Sequence, residues 1–301
     1  MTTRYTVEPW APEYGVAGSA DLEEPESNVD PTVEVPADRW APRRPLSDPV
    51  DDVLFVDGVR RVDANVWIHG PPATLGLCAV YAAGAVRCTD GEAKVVDAVV
   101  ERGLFTSAPD AAPIVTRHGT YEVRPTVGET PERLWLGLQQ RMGELEGTVA
   151  AAHAGTGLVV VDGPLSHHRH VPGAVGYVKT RRVHYLPPAL RTVLDELTPG
   201  TRTPLFLTTT SWSRFSWYAR LGPGSVAGGI VRCEVAADRP VAEAAGLADR
   251  VTATLPRFAS APHKDPRAPQ NLYPIGGLER ELRRRLGDPD LMFRALKAAA
   301  G

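Results

Sequence analysis

The chain has 301 residues, 43% of them hydrophobic, enough for one large domain or two modest ones with a sizeable core. No apolar run reaches the roughly 18 residues that would span a bilayer, and the opening "MTTRYTVEPWAPEYG" lacks the basic start and apolar centre of a secretion signal. Three cysteines (Cys78, Cys88 and Cys233), without CxxC spacing, point to reduced thiols and a cytoplasmic protein rather than a disulfide framework.

The net charge of −3 is unevenly placed: twelve acids and four arginines give residues 1–52 a charge of −8, leaving +5 on the rest. This segment also holds eight of the 28 prolines and shows almost no strand or helix periodicity. It reads as an acidic, Pro-rich tail, either disordered or, given Trp10, Tyr14 and Trp40, a docking arm. The folded domain is expected over 53–301, and its mild positive charge permits a nucleic-acid partner.

From Val53 the pattern becomes that of an α/β domain. "VLFVDGVRRVDANVWI" suggests two strands joined by an Asp-Gly bend, hence a hairpin. "GLCAVYAAGAVRC" reads as a buried strand, "VVDAVVERGLF" as a strand or short helix, and "YEVRPT" as a strand. "TPERLWLGLQQRMGELEGTVAAAHA" is the clearest helix, with Thr130 as its cap, Pro131 in its first turn and Gly155 at its end.

Next come the buried strand "GLVVVDGPL", the polar loop "SHHRHVPG" and the strand "AVGYVKT". "PPALRTVLDEL" suits a helix, while "PLFLTTT", "SRFSWYARLG" and "IVRCEV" suit strands. In the second of these, Phe215, Trp217, Ala219 and Leu221 alternate with Arg214, Ser216, Tyr218 and Arg220, which implies one core face and one exposed face. Three helices close the chain: "VAEAAGLADRVTATLPRFA", "PIGGLERELRRRLGD" and "PDLMFRALKAAA". The whole predicts a mixed sheet flanked by helices.

Asp57 and Asp162 share one context, an apolar strand followed by Asp-Gly. Asp-Gly is a preferred turn dipeptide, so a turn role is the plain alternative for each. Strands that deliver carboxylates side by side would instead offer hard oxygen ligands for Mg²⁺ or Mn²⁺, and one or two such ions could drive phosphodiester hydrolysis. The long helix offers a third acid. At about 100° per residue from Met142, the apolar residues Trp135, Leu138, Leu145 and Val149 fall within about 60° of the origin. Glu146 falls among them near about 40°, whereas Glu144 lies opposite near about 200°. An acid on the packed face requires a reason, which favours Glu146.

Lys179, closing "VGYVKT", is either a surface lysine or a group that offsets phosphate charge. "HHRH" at 167–170 is better explained by a solvated or DNA-facing loop than by zinc, since no cysteine lies near. Arg280, Arg283, Arg284 and Arg285 form either a solvated helix face or a phosphate-contacting one. "SWSRFSWYARLG" interleaves arginine with aromatics, which also suits stacking on single-stranded bases.

Taken in order, the strand into "VDGVRR", the helix with "RMGELE", then "LVVVDGPL", "VGYVKT", "SWYARL" and "APQNLYPIGGLE" resemble the NurA nuclease family from about residue 53 to about residue 287. The resemblance implies an RNase H-like fold and a Mn²⁺- or Mg²⁺-dependent nuclease for DNA ends and single strands in double-strand-break processing. It further implies a homodimer that docks on a hexameric HerA-type ATPase. Carried over by position, Asp57, Glu146 and Asp162 would hold the metal, and Lys179 matches the family's strand-end lysine; on this reading Arg60, Arg61, Arg280, Arg283 and Arg284 are expected on DNA. Two departures stand out. Val59 occupies a position where the family often has a small hydroxyl residue, and "YPIGGLE" lacks the family's Ala-His pair. Glu279, Tyr273 and His263 are the candidates for that fourth metal position. A non-catalytic DNA-binding or ATPase-docking clamp is the alternative, and a hydrolase of small phosphoesters is disfavoured because no Gly-rich phosphate loop appears.

Overall fold

A computed structural model describes residues 3–7, 28–155, 157–179, 185–223, 229–265 and 267–300. In chain order the strands are β1 (Tyr5–Val7), β2 (Asn28–Asp30), β3 (Val53–Ile68), β4 (Thr74–Thr89), β5 (Glu92–Thr106), β6 (Ile114–Thr116) and β7 (Gly119–Pro125). After helix α1 (Pro131–His153) come β8 (Leu158–Asp162), β9 (Ala174–Val178), the one-turn α2 (Val193–Glu196), β10 (Phe206–Thr209), β11 (Ser213–Arg220) and β12 (Ile230–Ala236). Helices α3 (Val241–Thr254), α4 (Tyr273–Arg285) and α5 (Pro289–Ala300) follow.

The strands form one mixed sheet in the order β2-β10-β11-β12-β9-β8-β3-β4-β5-β7-β6, with β1 on the far end of β3. At its centre β4 runs antiparallel to both β3 and β5, while β8 lies parallel to β3 and β9 parallel to β8. A three-strand meander, a crossover helix (α1) and two parallel strands make the RNase H-like arrangement, with helices on both faces of a mixed sheet.

Alternation along β3 assigns the faces. Val53 and Phe55 pack toward α3 and α4 with Val251, Ile275, Leu278 and Leu282. Leu54 and Val56 pack toward α1 with Val149 and Ala150. Strand β8 does the same, with Leu158 and Val160 on the first face and Val159 and Val161 on the second. Because both faces are covered, these strands read as continuous apolar runs. Helix α1 starts where expected: the Thr130 hydroxyl accepts from the Arg133 N–H and Pro131 occupies the first turn.

Three expectations are corrected. The first Asp-Gly is no hairpin: β3 runs unbroken through Asp57 and Gly58, pairing continuously with β4 across that step. Sustained pairing outweighs the local turn preference of the dipeptide. Strand β11 has no exposed face beyond its first residue, because Tyr185, Leu186, Val193, Leu194 and Leu197 cover the side bearing Tyr218. "PPALRTVLDEL" forms a 3-10 turn (Pro188–Leu190) and the short α2 rather than one helix.

Of the acidic segment, 1–2 and 8–27, with Trp10 and Tyr14 of the expected docking arm, lie outside the described residues, while β1 and β2 extend the sheet. Beyond β2, Glu34 meets the buried Arg202, its oxygens accepting from Nη1 and Nη2 at 2.9 and 3.0 Å. The three cysteines are buried free thiols. Among the described residues no helix is long and apolar enough to cross a membrane.

Candidate metal centre

Strands β3 and β8 are hydrogen-bonded neighbours, and Asp57 and Asp162 sit just past their shared register, each one residue beyond the paired Val56 and Val161. Alternation turns both side chains to the α3/α4 face. Asp57 is buried and Asp162 half-buried.

Glu146 arrives from the opposite face. Helix α1 buries it at 7% exposure, whereas Glu144, two residues earlier, is only half-buried and accepts from Arg141 at 2.6 Å. Its carboxylate lies directly on Gly58, where an added Cβ would stand 2.1 Å from Oε1 and 2.9 Å from Cδ. Any side chain at residue 58 would occupy that place. The two Asp-Gly pairs therefore serve different ends. Gly58 makes room for an acid in mid-strand, while Gly163 takes φ +102° as β8 ends, a conformation that suits glycine.

The electrostatics show three acids sharing too little positive charge. Burial pushes the Asp57 carboxyl well above its usual range, and the charges of Asp162 and Glu146 add to it; Lys179 and the Gly58 N–H oppose the shift. Glu146 is pushed up to about 8, first by burial and then by Asp162, against Arg60. Asp162 is raised by burial, and Lys179 opposes through its charge and hydrogen bond. Buried, mutually repelling carboxylates of this kind mark functional sites more often than structural ones.

Lys179 follows β9, and its ammonium donates to Asp162 Oδ2 at 2.6 Å and Asn271 Oδ1 at 3.2 Å. Asn271 in turn donates to Asp265. The neighbouring Gln270 amide donates to the Lys179 and Ile230 carbonyls. The late "APQN" stretch thus braces the lysine, a role that its sequence did not disclose.

The remaining candidates divide. Glu279 lies close enough to Asp162 to raise its carboxyl. Burial pushes Glu279 itself up, but Arg283 and Arg267, with Lys179, outweigh this and hold it low. Tyr273 points elsewhere, accepting from the Ala261 N–H and lining a cavity with Cys88, Arg257 and Phe258 that contains none of the acids. His263 is exposed in the loop before α4.

Arg60 is tucked against α1, its guanidinium 4.9 Å from the Trp135 ring centre. Arg61 is a strut, donating to Asp63 and to the Leu286 and Gly287 carbonyls. Arg280, Arg283 and Arg284 are exposed on α4, the last two paired with Glu279 and Glu281.

One residue of the site was missed. The "HHRH" loop is not uniformly solvated, because His168 is buried at 2% exposure beside Glu146, its Nε2 3.5 Å from Oε2. Burial, His167 and His170 push its pKa down to about 3, so the imidazole is neutral. The contact is therefore an approach of a neutral ring to an acid, not an ion pair. The legible signal was Gly143 and Gly147, one turn apart on α1, against which His167 packs.

Among the described residues, no three His, Cys, Asp or Glu side chains are closed around a common point as a metal would hold them. The chemistry of the donor set nevertheless fits a hard divalent cation: carboxylate oxygens from two adjacent strands and a helix, offset in part by Lys179 and Arg60. A cation there would relieve the repulsion that raises these groups.

No family model and no curated protein matches the chain. Among solved structures it is similar to the NurA nuclease from Sulfolobus solfataricus, with a TM-score of 0.50 and 11% identity over 83% of this chain and 85% of that one. The likeness covers most of both chains, and it shows that this protein has a NurA-like fold.

Proposed function

We propose that this protein is a divalent-metal-dependent DNA nuclease acting on ends and single strands. The observation that carries the reading is the gathering of Asp57, Asp162 and Glu146 at the β3–β8 junction of a NurA-like fold, near enough that Asp162 raises the carboxyls of the other two. Asp57, Glu146 and Asp162 would hold one or two Mn²⁺ or Mg²⁺ ions. Bound there, the metal would supply the positive charge that polarises a phosphodiester and acidifies the attacking water. Lys179, braced by Asn271, would hold phosphate charge beside Asp162. The exposed arginines of α4 would contact the DNA backbone without reading bases.

Glu279 supports a fourth metal position better than Tyr273 or His263, because it alone of the three is electrostatically linked to Asp162. Its pairing with Arg283 must loosen for that role. A cytoplasmic setting, a homodimer and docking on a HerA-type hexameric ATPase in break processing complete the proposal, and these rest on the sequence resemblance.

The test is degradation of end-labelled single-stranded DNA with Mn²⁺ and with chelator. Asp57→Ala and Asp162→Ala are each expected to lose more than the roughly 10–100-fold that outer partners of a metal site cost. Full activity in either folded variant would sink the assignment. The alternative, a DNA-binding clamp without catalysis, draws on the acids' not being closed around one point. DNA binding with no metal-dependent cleavage would select it.

A further inference from the structure

Helix α1 carries a shallow notch at Gly143 and Gly147, filled by the loop that follows Asp162. A Cβ on Gly143 would stand 2.6 Å from the His167 ring, and one on Gly147 would stand 2.9 Å from the His167 carbonyl. The loop is fixed from its other side as well, where the Leu165 N–H donates at 2.7 Å to the buried Glu234. Loop and helix are therefore locked together, and His168 is the side chain they enclose.

A buried histidine normally satisfies at least one ring nitrogen, since an unpaired polar group away from water costs about 1–3 kcal/mol. Neither ring nitrogen of His168 has a hydrogen-bond partner among the described residues. The polar atom it approaches is Glu146 Oε2, at 3.5 Å. Glu146 is itself confined, with its other oxygen, Oε1, over Gly58.

Resting on the proposed metal site, we infer that His168 is a positioning residue for Glu146: poised 3.5 Å away, its Nε2–H closes on Oε2 when a cation is taken up and thereby fixes the carboxylate. Partners of this kind orient a ligand without touching the metal. The arrangement also couples two acids. Asp162 ends the strand from which the loop departs, and the loop returns through His168 to Glu146, so the positions of both depend on one short segment.

The test measures Mn²⁺ binding by calorimetry on full-length protein, without DNA. His168→Ala is expected to weaken binding roughly 10–100-fold. His168→Gln, whose amide restores a donor, should recover a substantial part, with circular dichroism and melting confirming that both variants fold. Asp57→Asn is the reference and should abolish binding. Wild-type affinity in His168→Ala, or equal weakening in both His168 variants, would overturn the inference while leaving the metal site intact. Failure of the unaltered protein to bind Mn²⁺ would overturn both.

Discussion

Gly58 is the residue on which the candidate site turns. It lies in mid-strand at the point where a carboxylate from α1 reaches the sheet, and the space it leaves is filled by Glu146. Gly58→Ala must displace that carboxylate, because the added methyl would collide with Oε1, Cδ and Cγ together. Displacement of a flexible acid is cheap for folding but harmful to a ligand set. The variant is expected to fold and to lose Mn²⁺-dependent DNA degradation by about tenfold or more; unchanged activity would refute the reading of Gly58. The sequence placed Asp162 at a strand end and Glu146 on the packed face of its helix, since a strand end and a helical phase are local properties, but it put Asp57 at a strand end where the strand runs on. It could not separate a glycine that turns the chain from one that admits a neighbour, because that neighbour lies about ninety residues away. Glu146 also sets a pH dependence. Its folded pKa, pushed up to about 8, exceeds the ordinary glutamate value of about 4.5, so its contribution to stability is complete below about 4.5 and is lost as pH rises through about 8. Metal-free protein should therefore melt at progressively lower temperature across that window. Glu146→Gln should flatten the slope, and an identical slope in the variant would show that another group is responsible.

Among the elements, α1 was the most legible, because its cap, first-turn proline and apolar phase are all written locally. The loop after β8 was the least legible. "SHHRHVPG" has no periodicity, and its burial depends on a notch in α1 that matters only once β8 has brought the loop alongside. Strand β11 failed for a related reason: its polar face is covered by a segment of irregular structure, which leaves no pattern to read. The stretch after β2 forms another tie of this kind. Glu34 meets Arg202, itself 1% exposed and also paired with Asp249 at 2.7 Å. Removing one partner of a buried pair leaves a charge poorly compensated, so Glu34→Ala is expected to cost about 3 kcal/mol in urea unfolding. A change below about 0.5 kcal/mol, the usual effect of a surface substitution, would show that this contact contributes little.

For the whole molecule, the ordering of strands explains why the acids meet. The parallel step from β3 to β8 is the place where the antiparallel meander gives way to the crossover, and the side chains just past the end of that parallel pairing lie next to one another. The acids fall there, with α1 on one face and α4 on the other. The sequence predicted the fold class through its alternating runs and helical phases, and read β10 as a strand, but not the extension of the sheet to β2, which comes from a distant segment with little pattern of its own. The central claim, that Asp57, Glu146 and Asp162 together bind a catalytic divalent ion, is tested most directly by a crystal soaked in Mn²⁺ and measured for anomalous scattering. The expected result is a peak within about 2.0–2.6 Å of carboxylate oxygens from all three residues. A soaked crystal with no peak among the three acids, or with its only peaks elsewhere, would contradict the account.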